Sequence, residues 1–69
     1  MTRGRVAAFD DARGWGTVRG DDGEALFFHC TAVADGSRRI AAGTPVTYRR
    51  VPGHLGQWEA TALEPLTAD

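Results

Sequence analysis

The sequence predicts an all-β fold: five short strands closing into a small antiparallel barrel. Three observations carry this expectation. β-branched and aromatic residues come in five short runs, Gly- and Asp-rich turn signals separate the runs, and a chain of 69 residues with that many strands removes its exposed edges by closing on itself.

The first run, Arg3 to Phe9, has Val6 as its clearest inward residue. Asp10-Asp11-Ala12-Arg13-Gly14 turns the chain into a second strand, Trp15 to Arg19, and Gly20 to Gly23 turns it into a third, Ala25 to Cys30. Thr31-Ala32-Val33 reads as one helical turn with Thr31 as its cap. Ala34 to Ala42, small and polar around Asp35-Gly36-Ser37, reads as a long loop. Gly43-Thr44-Pro45 leads into a fourth strand, Val46 to Val51, where a proline at the first position sacrifices no important ladder bond. Pro52 to Gly56 is a further loop and Trp58 to Leu63 a fifth strand. The whole of 1–69 is expected to be one domain, with the barrel over about 3–64 and a short polar tail at 65–69.

Side-chain alternation assigns faces. Trp15 and Thr17 share one face of the second strand, and Gly16 and Val18 share the other. Phe27 and His29 share one face of the third, with Leu26 and Phe28 behind them. If Val18, Leu26 and Phe28 point inward with Val6, Val46 and Tyr48, then Trp15, Phe27 and His29 point outward together beside Arg13. Flat rings on an outer face form a platform on which bases stack. The competing reading, that these aromatics are core, is equally consistent with short apolar runs; the alternation from Leu26 to His29 favours the platform.

A chain of this size buries only about 60% of its unfolded surface, so marginal stability is expected. The single cysteine, Cys30, precludes an internal disulfide. With no apolar run near ~20 residues and no signal-peptide pattern, the chain reads as a complete, soluble, cytoplasmic protein. All eight basic residues are arginine, which codon bias explains better than selection, and the net charge of −1 gives no overall attraction for nucleic acid. Enzymatic chemistry is not expected. His29 and Cys30 are strand neighbours and point to opposite faces, which denies them a base–thiol contact. One cysteine with His29 and His54 makes no zinc site, so neither a metal nor another cofactor is expected.

The residues Gly4-Arg5-Val6, Phe9, Arg13-Gly14-Trp15-Gly16, Leu26-Phe27-Phe28-His29, Thr31-Ala32-Val33 and Gly43-Thr44-Pro45-Val46-Thr47-Tyr48 follow the order and spacing of a cold-shock domain. Arg13 to Val18 resembles that family's first RNA-binding motif (Lys-Gly-Phe-Gly-Phe-Ile), Leu26 to His29 its second (Val-Phe-Val-His), and Glu59 to Leu63 its closing strand. The resemblance, from Gly4 to Leu63, implies a five-stranded antiparallel OB-type barrel that binds single-stranded RNA or DNA by stacking. The family's Lys-Trp-Phe-Asn is here Ala7-Ala8-Phe9-Asp10; Thr17 replaces a phenylalanine, and Cys30 replaces the aromatic that commonly follows the histidine.

The leading expectation is therefore a weakened single-strand binder, acting as an RNA chaperone or a transcription or translation regulator on RNA or DNA, with pyrimidine-rich strands as partners. Phe9, Trp15, Phe27 and His29 stack and Arg13 contacts phosphate; Arg5 and Trp58 are further candidates. Trp58 either stacks or closes the barrel end. Arg38-Arg39 is either a backbone track or a solvated loop. The rival is a degenerate barrel that binds a protein partner. A monomer is expected, with strand swapping left open.

Overall fold

The computed structural model describes residues 1–34, 36, 39–53 and 56–66. Its strands are β1 (Thr2–Asp10), β2 (Trp15–Gly20), β3 (Ala25–His29), β4 (Pro45–Pro52) and β5 (Trp58–Pro65), with a 3-10 turn at Cys30–Ala32. They form a closed barrel in the order β1-β2-β3-β5-β4. The pairings β1–β2, β2–β3, β1–β4 and β4–β5 are antiparallel. A parallel β3–β5 contact with one registered pair, Phe27 opposite Glu59, completes the circuit. Among the described residues no helix is long and apolar enough to cross a membrane.

Each strand seen in the sequence is present, and the differences lie at the ends. β5 runs on to Pro65 because Glu64 and Pro65 pair with Thr47 and Val46, and the Leu66 N–H donates to the Pro45 carbonyl at 2.8 Å. The expected tail at 65–69 thus begins as strand, and its residues 67–69 lie outside the described residues. β3 ends at His29 and Cys30 opens the 3-10 turn. Thr31 is consequently inside that turn rather than its cap; His29 holds the cap position and makes no side-chain cap bond.

The six core residues read from the sequence, Val6, Val18, Leu26, Phe28, Val46 and Tyr48, are all buried. Val33, Ile40, Ala60 and Leu63 complete the core. Ile40 belongs to the segment 34–42 expected to be a polar loop, of which residues 35, 37 and 38 lie outside the described residues; its own side chain nevertheless reaches the interior.

Two irregularities set the faces. In β1, Val6 lies opposite Val18 and Ala8 opposite Thr17, leaving Ala7 as an extra residue without a partner. The neighbouring backbone is satisfied from the segment before β4: the Val6 N–H donates to the Thr44 carbonyl at 3.0 Å, and the Gly43 N–H donates to the Val6 carbonyl at 2.7 Å. In β5 the register shifts opposite Tyr48, where Ala62 adopts a left-handed φ of 53°.

An L-residue in that left-handed conformation costs about 1–2 kcal/mol, and glycine gives back part of the relief through its freer unfolded chain. Ala62→Gly should therefore raise stability by up to about 1 kcal/mol in urea melts; a loss of stability would contradict the strain.

The phenol of Tyr48 is pushed up from its ordinary value by burial, then by Asp22 and Glu24, with Arg50 opposing and Asp21 adding slightly. Its neutral form is thus favoured in the folded state. The associated stability is complete below about pH 10 and declines as pH rises past that value, because the unfolded chain releases its proton first. With no lysine and one tyrosine in the chain, melts between about pH 9 and 11 should show this decline in the parent and lose it in Tyr48→Phe.

Candidate functional site

The outer face of β1, β2 and β3 presents side chains in rows, because residues opposite one another on paired strands share a face. His29, Trp15 and Asp10 form the first row, and Phe27, Thr17 and Ala8 the second. The third row is Ala25, Arg19 and Arg5, continued onto β4 by Pro45. Behind these rows Gly16, Val18, Leu26 and Phe28 are buried, as the alternation requires.

Three rings form a continuous ladder across the first two rows. Trp15 and Phe27 have centroids 5.0 Å apart with planes tilted 39°. Phe27 and His29 are 4.9 Å apart, edge to face at 86°. Such pairs contribute about 0.5–1.5 kcal/mol beyond area burial, so the rings restrain one another before any ligand arrives. Trp15 and Phe27 are half-buried and His29 is exposed.

The β1–β2 turn aims Trp15. The Asp10 carboxylate accepts hydrogen bonds from the Ala12 and Arg13 N–H groups at 3.0 and 3.1 Å. The Gly14 N–H donates to the Asp10 carbonyl at 2.8 Å, and the Cys30 N–H to the Gly14 carbonyl at 2.8 Å. Gly14 has φ 75°, and a Cβ there would stand 3.3 Å from the Cys30 sulfur, so glycine suits the position on both counts. Cys30 is half-buried.

Phe9 is placed differently from expectation. The extra residue at Ala7 turns Ala8 outward and Phe9 inward, where its ring stacks on the buried Phe28 at 5.8 Å with planes 12° apart. It is half-buried against the core and separate from the outer ladder. A Cβ at Gly16 would run into the Ala8 carbonyl oxygen and press on the Phe9 ring, so the missing side chain makes room for this packing.

The charged candidates differ in their surroundings. Arg13 is exposed and lies 3.7 Å from Asp10, a surface pair worth about 0–1 kcal/mol that leaves the guanidinium easily withdrawn. Arg5 donates to the Gly43 carbonyl at 3.1 Å. Arg39 lies 3.9 Å from Asp11; Arg38 and His54 lie outside the described residues. Glu59, opposite Phe27, sets a half-buried carboxylate at the β5 edge of the ladder, packed where Gly53 carries no side chain.

Trp58 is 50% exposed and does not join the ladder. Opposite Pro52 and two residues from the buried Ala60, it takes the other side of β5 from Glu59. The Arg50 guanidinium lies 4.9 Å from its ring centroid and 3.0 Å from the Glu24 carboxylate. Trp58 therefore covers an ion pair at the barrel end while leaving half its surface open. Sequence reading misses Arg50, since its partners come from the β2–β3 turn and from β5. It also misses Arg19, although counting by twos from Trp15 places it on the ladder's face.

A family model described as the 'Cold-shock' DNA-binding domain matches residues 2–65. The chain belongs to the cold-shock domain family. It is 35% identical over 66 residues to cold shock protein 2 of Lactiplantibacillus plantarum, covering 94% of this chain and 98% of that protein. It is 29% identical over 65 residues to cold shock protein CspB of Bacillus caldolyticus, covering 93% and 98%. A solved structure titled Drosophila Unr CSD456 superposes with a TM-score of 0.78 at 27% identity, over 96% of this chain and 26% of the other. The OB-type barrel implied by the sequence resemblance is thus the fold of this cold-shock domain, and its outer face carries Thr17 and Ala8 side by side where the resemblance implies rings.

Proposed function

We propose that this cold-shock domain binds single-stranded RNA or DNA, pyrimidine-rich strands in particular, by stacking bases on the Trp15–Phe27–His29 ladder. The ladder itself is the observation that supports this reading: three rings linked through Phe27 on the face opposite the core. Arg13 supplies a phosphate contact by swinging away from Asp10. Phe9 supports the sheet from beneath, stacked on Phe28. Trp58 belongs to a different surface. As an RNA chaperone or a transcription or translation regulator, such a protein needs stacking with little base-edge readout, since every base has a π-face.

Affinity is lower than a fully ringed face would give. Each base–aromatic stack is worth about 1–3 kcal/mol, and the Ala8–Thr17 position offers none. Asp10 and Glu59 add carboxylates at opposite margins of the ladder, where they repel phosphate.

A titration of the full chain with a short pyrimidine-rich strand, followed by tryptophan fluorescence, tests the proposal. Trp15→Ala and Phe27→Ala should each weaken binding by about 1–3 kcal/mol. Both variants should keep the folded barrel, with stability falling by about 0.5–1.5 kcal/mol for each ring pair removed plus the apolar area that these half-buried rings cover. Unchanged affinity in both would remove the ladder from the site.

Restoring rings should act in the opposite direction. Ala8→Trp and Thr17→Phe fall on the outer face in the same row as Phe27, so neither overpacks the core. Each should strengthen binding by about 1–3 kcal/mol. A doubly substituted protein that folds and binds no better than the parent would favour the rival, a barrel whose face serves a protein partner.

A further inference from the structure

Arg5 and Arg19 are registered directly opposite each other on β1 and β2. The flanking pairs Gly4–Gly20 and Val6–Val18 point inward, so both guanidinium groups emerge on the ladder's face. Like charges in this relation destabilise a sheet, and a carboxylate at either neighbouring strand position would cancel the repulsion. The row holds none, with Ala25 beyond Arg19 and Pro45 beyond Arg5. Arg5 is steadied by the Gly43 carbonyl at 3.1 Å, an acceptor that orients the group and leaves its charge in place. Arg13, Arg39 and Arg50, by contrast, each lie within 4 Å of a carboxylate.

The position of the pair gives it a use. Arg19 follows Trp15 by four residues on the same strand face, about 13 Å along β2, with Thr17, which carries no ring, between them. Asp10 and Glu59 place carboxylates at the two side margins of the ladder, so a phosphate backbone leaves it along β2, with Arg13 at one end and Arg19 at the other.

We propose that Arg5 and Arg19 form a phosphate clamp that holds the backbone of the strand whose bases sit on the ladder, a reading that rests on the proposed function. The chain thus replaces stacking at Ala8 and Thr17 with charge at the far end of the face. An anion between the two guanidinium groups relieves their repulsion, so the clamp is preloaded for phosphate.

The test compares the parent with Arg19→Gln and Arg5→Gln/Arg19→Gln, using pyrimidine strands of about four and about eight nucleotides, the range of short OB-fold sites. With the longer strand the parent should show a log–log salt slope of about −1.5 to −3, flattened by ~0.7 in the single variant and ~1.4 in the double. Each phosphate contact removed should weaken binding roughly eightfold at about 0.05 M salt relative to about 1 M, the factor that a slope of ~0.7 gives over that range. The four-nucleotide strand should respond much less. Arg19→Glu, which sets a carboxylate opposite Arg5, should raise the melting temperature at low salt while weakening the longer strand further. If Trp15→Ala weakens binding and Arg19→Gln leaves both slope and affinity unchanged, the clamp is overturned and the ladder stands. If the parent binds neither strand, both readings fall together.

Discussion

The extra residue at Ala7 decides which side chains this barrel shows and which it keeps. Strict alternation from Val6 would send Ala8 into the core and Phe9 out to solvent. One unpaired residue reverses both, setting Ala8 beside Thr17 and laying Phe9 on Phe28. The arrangement also requires Gly16, because a side chain there would strike the Ala8 carbonyl. Gly43 and Thr44 satisfy the backbone of Val6 beside the irregularity, tying the approach to β4 to the same point. Bulge, glycine and loop are parts of one constraint, and the composition of the outer face depends on it.

Where alternation is unbroken, the sequence is sufficient. β2 and β3 are regular from Trp15 to Val18 and from Leu26 to His29, and the faces read from those residues are the faces observed. Phe9 escapes such a reading because nothing in Val6-Ala7-Ala8-Phe9 marks an extra residue; a bulge is defined by the partner strand. Ile40 escapes it for a related reason, since burial of a loop side chain depends on where the loop lands. Thr31 is a plausible cap by residue type, but the turn begins one residue earlier than its composition suggests. Trp58 cannot be assigned from its own neighbourhood because Arg50 and Glu24 determine its setting. The ladder is legible because its rings fall on strictly alternating positions; the arginine row needs the register between β1 and β2.

A net charge of −1 is a poor guide to what such a surface attracts. At physiological salt, fields decay over about 8 Å, so the disposition of charge within a row outweighs the sum over the chain. Carboxylates stand beside Arg13, Arg39 and Arg50, and the row through Arg5 and Arg19 contains none. The absence of lysine strengthens the locality: each cation is a planar group able to fork onto an anion or lie against a ring, as Arg50 lies against Trp58.

The barrel is held unevenly around its circumference. Long antiparallel ladders join β1 to β2 and β4 to β5, whereas β3 meets β5 through one registered pair at Phe27 and Glu59. That seam, closed farther along by the Val33–Leu63 bridge and the Ala34 N–H bond to the Leu63 carbonyl at 2.8 Å, has the fewest registered strand pairs to break on local opening. It runs beneath the central ring of the ladder, so the most yielding part of the wall lies under the middle of the outer face. Phe27 therefore serves two partners at once: it is registered against Thr17 within the ladder's face and against Glu59 across the seam.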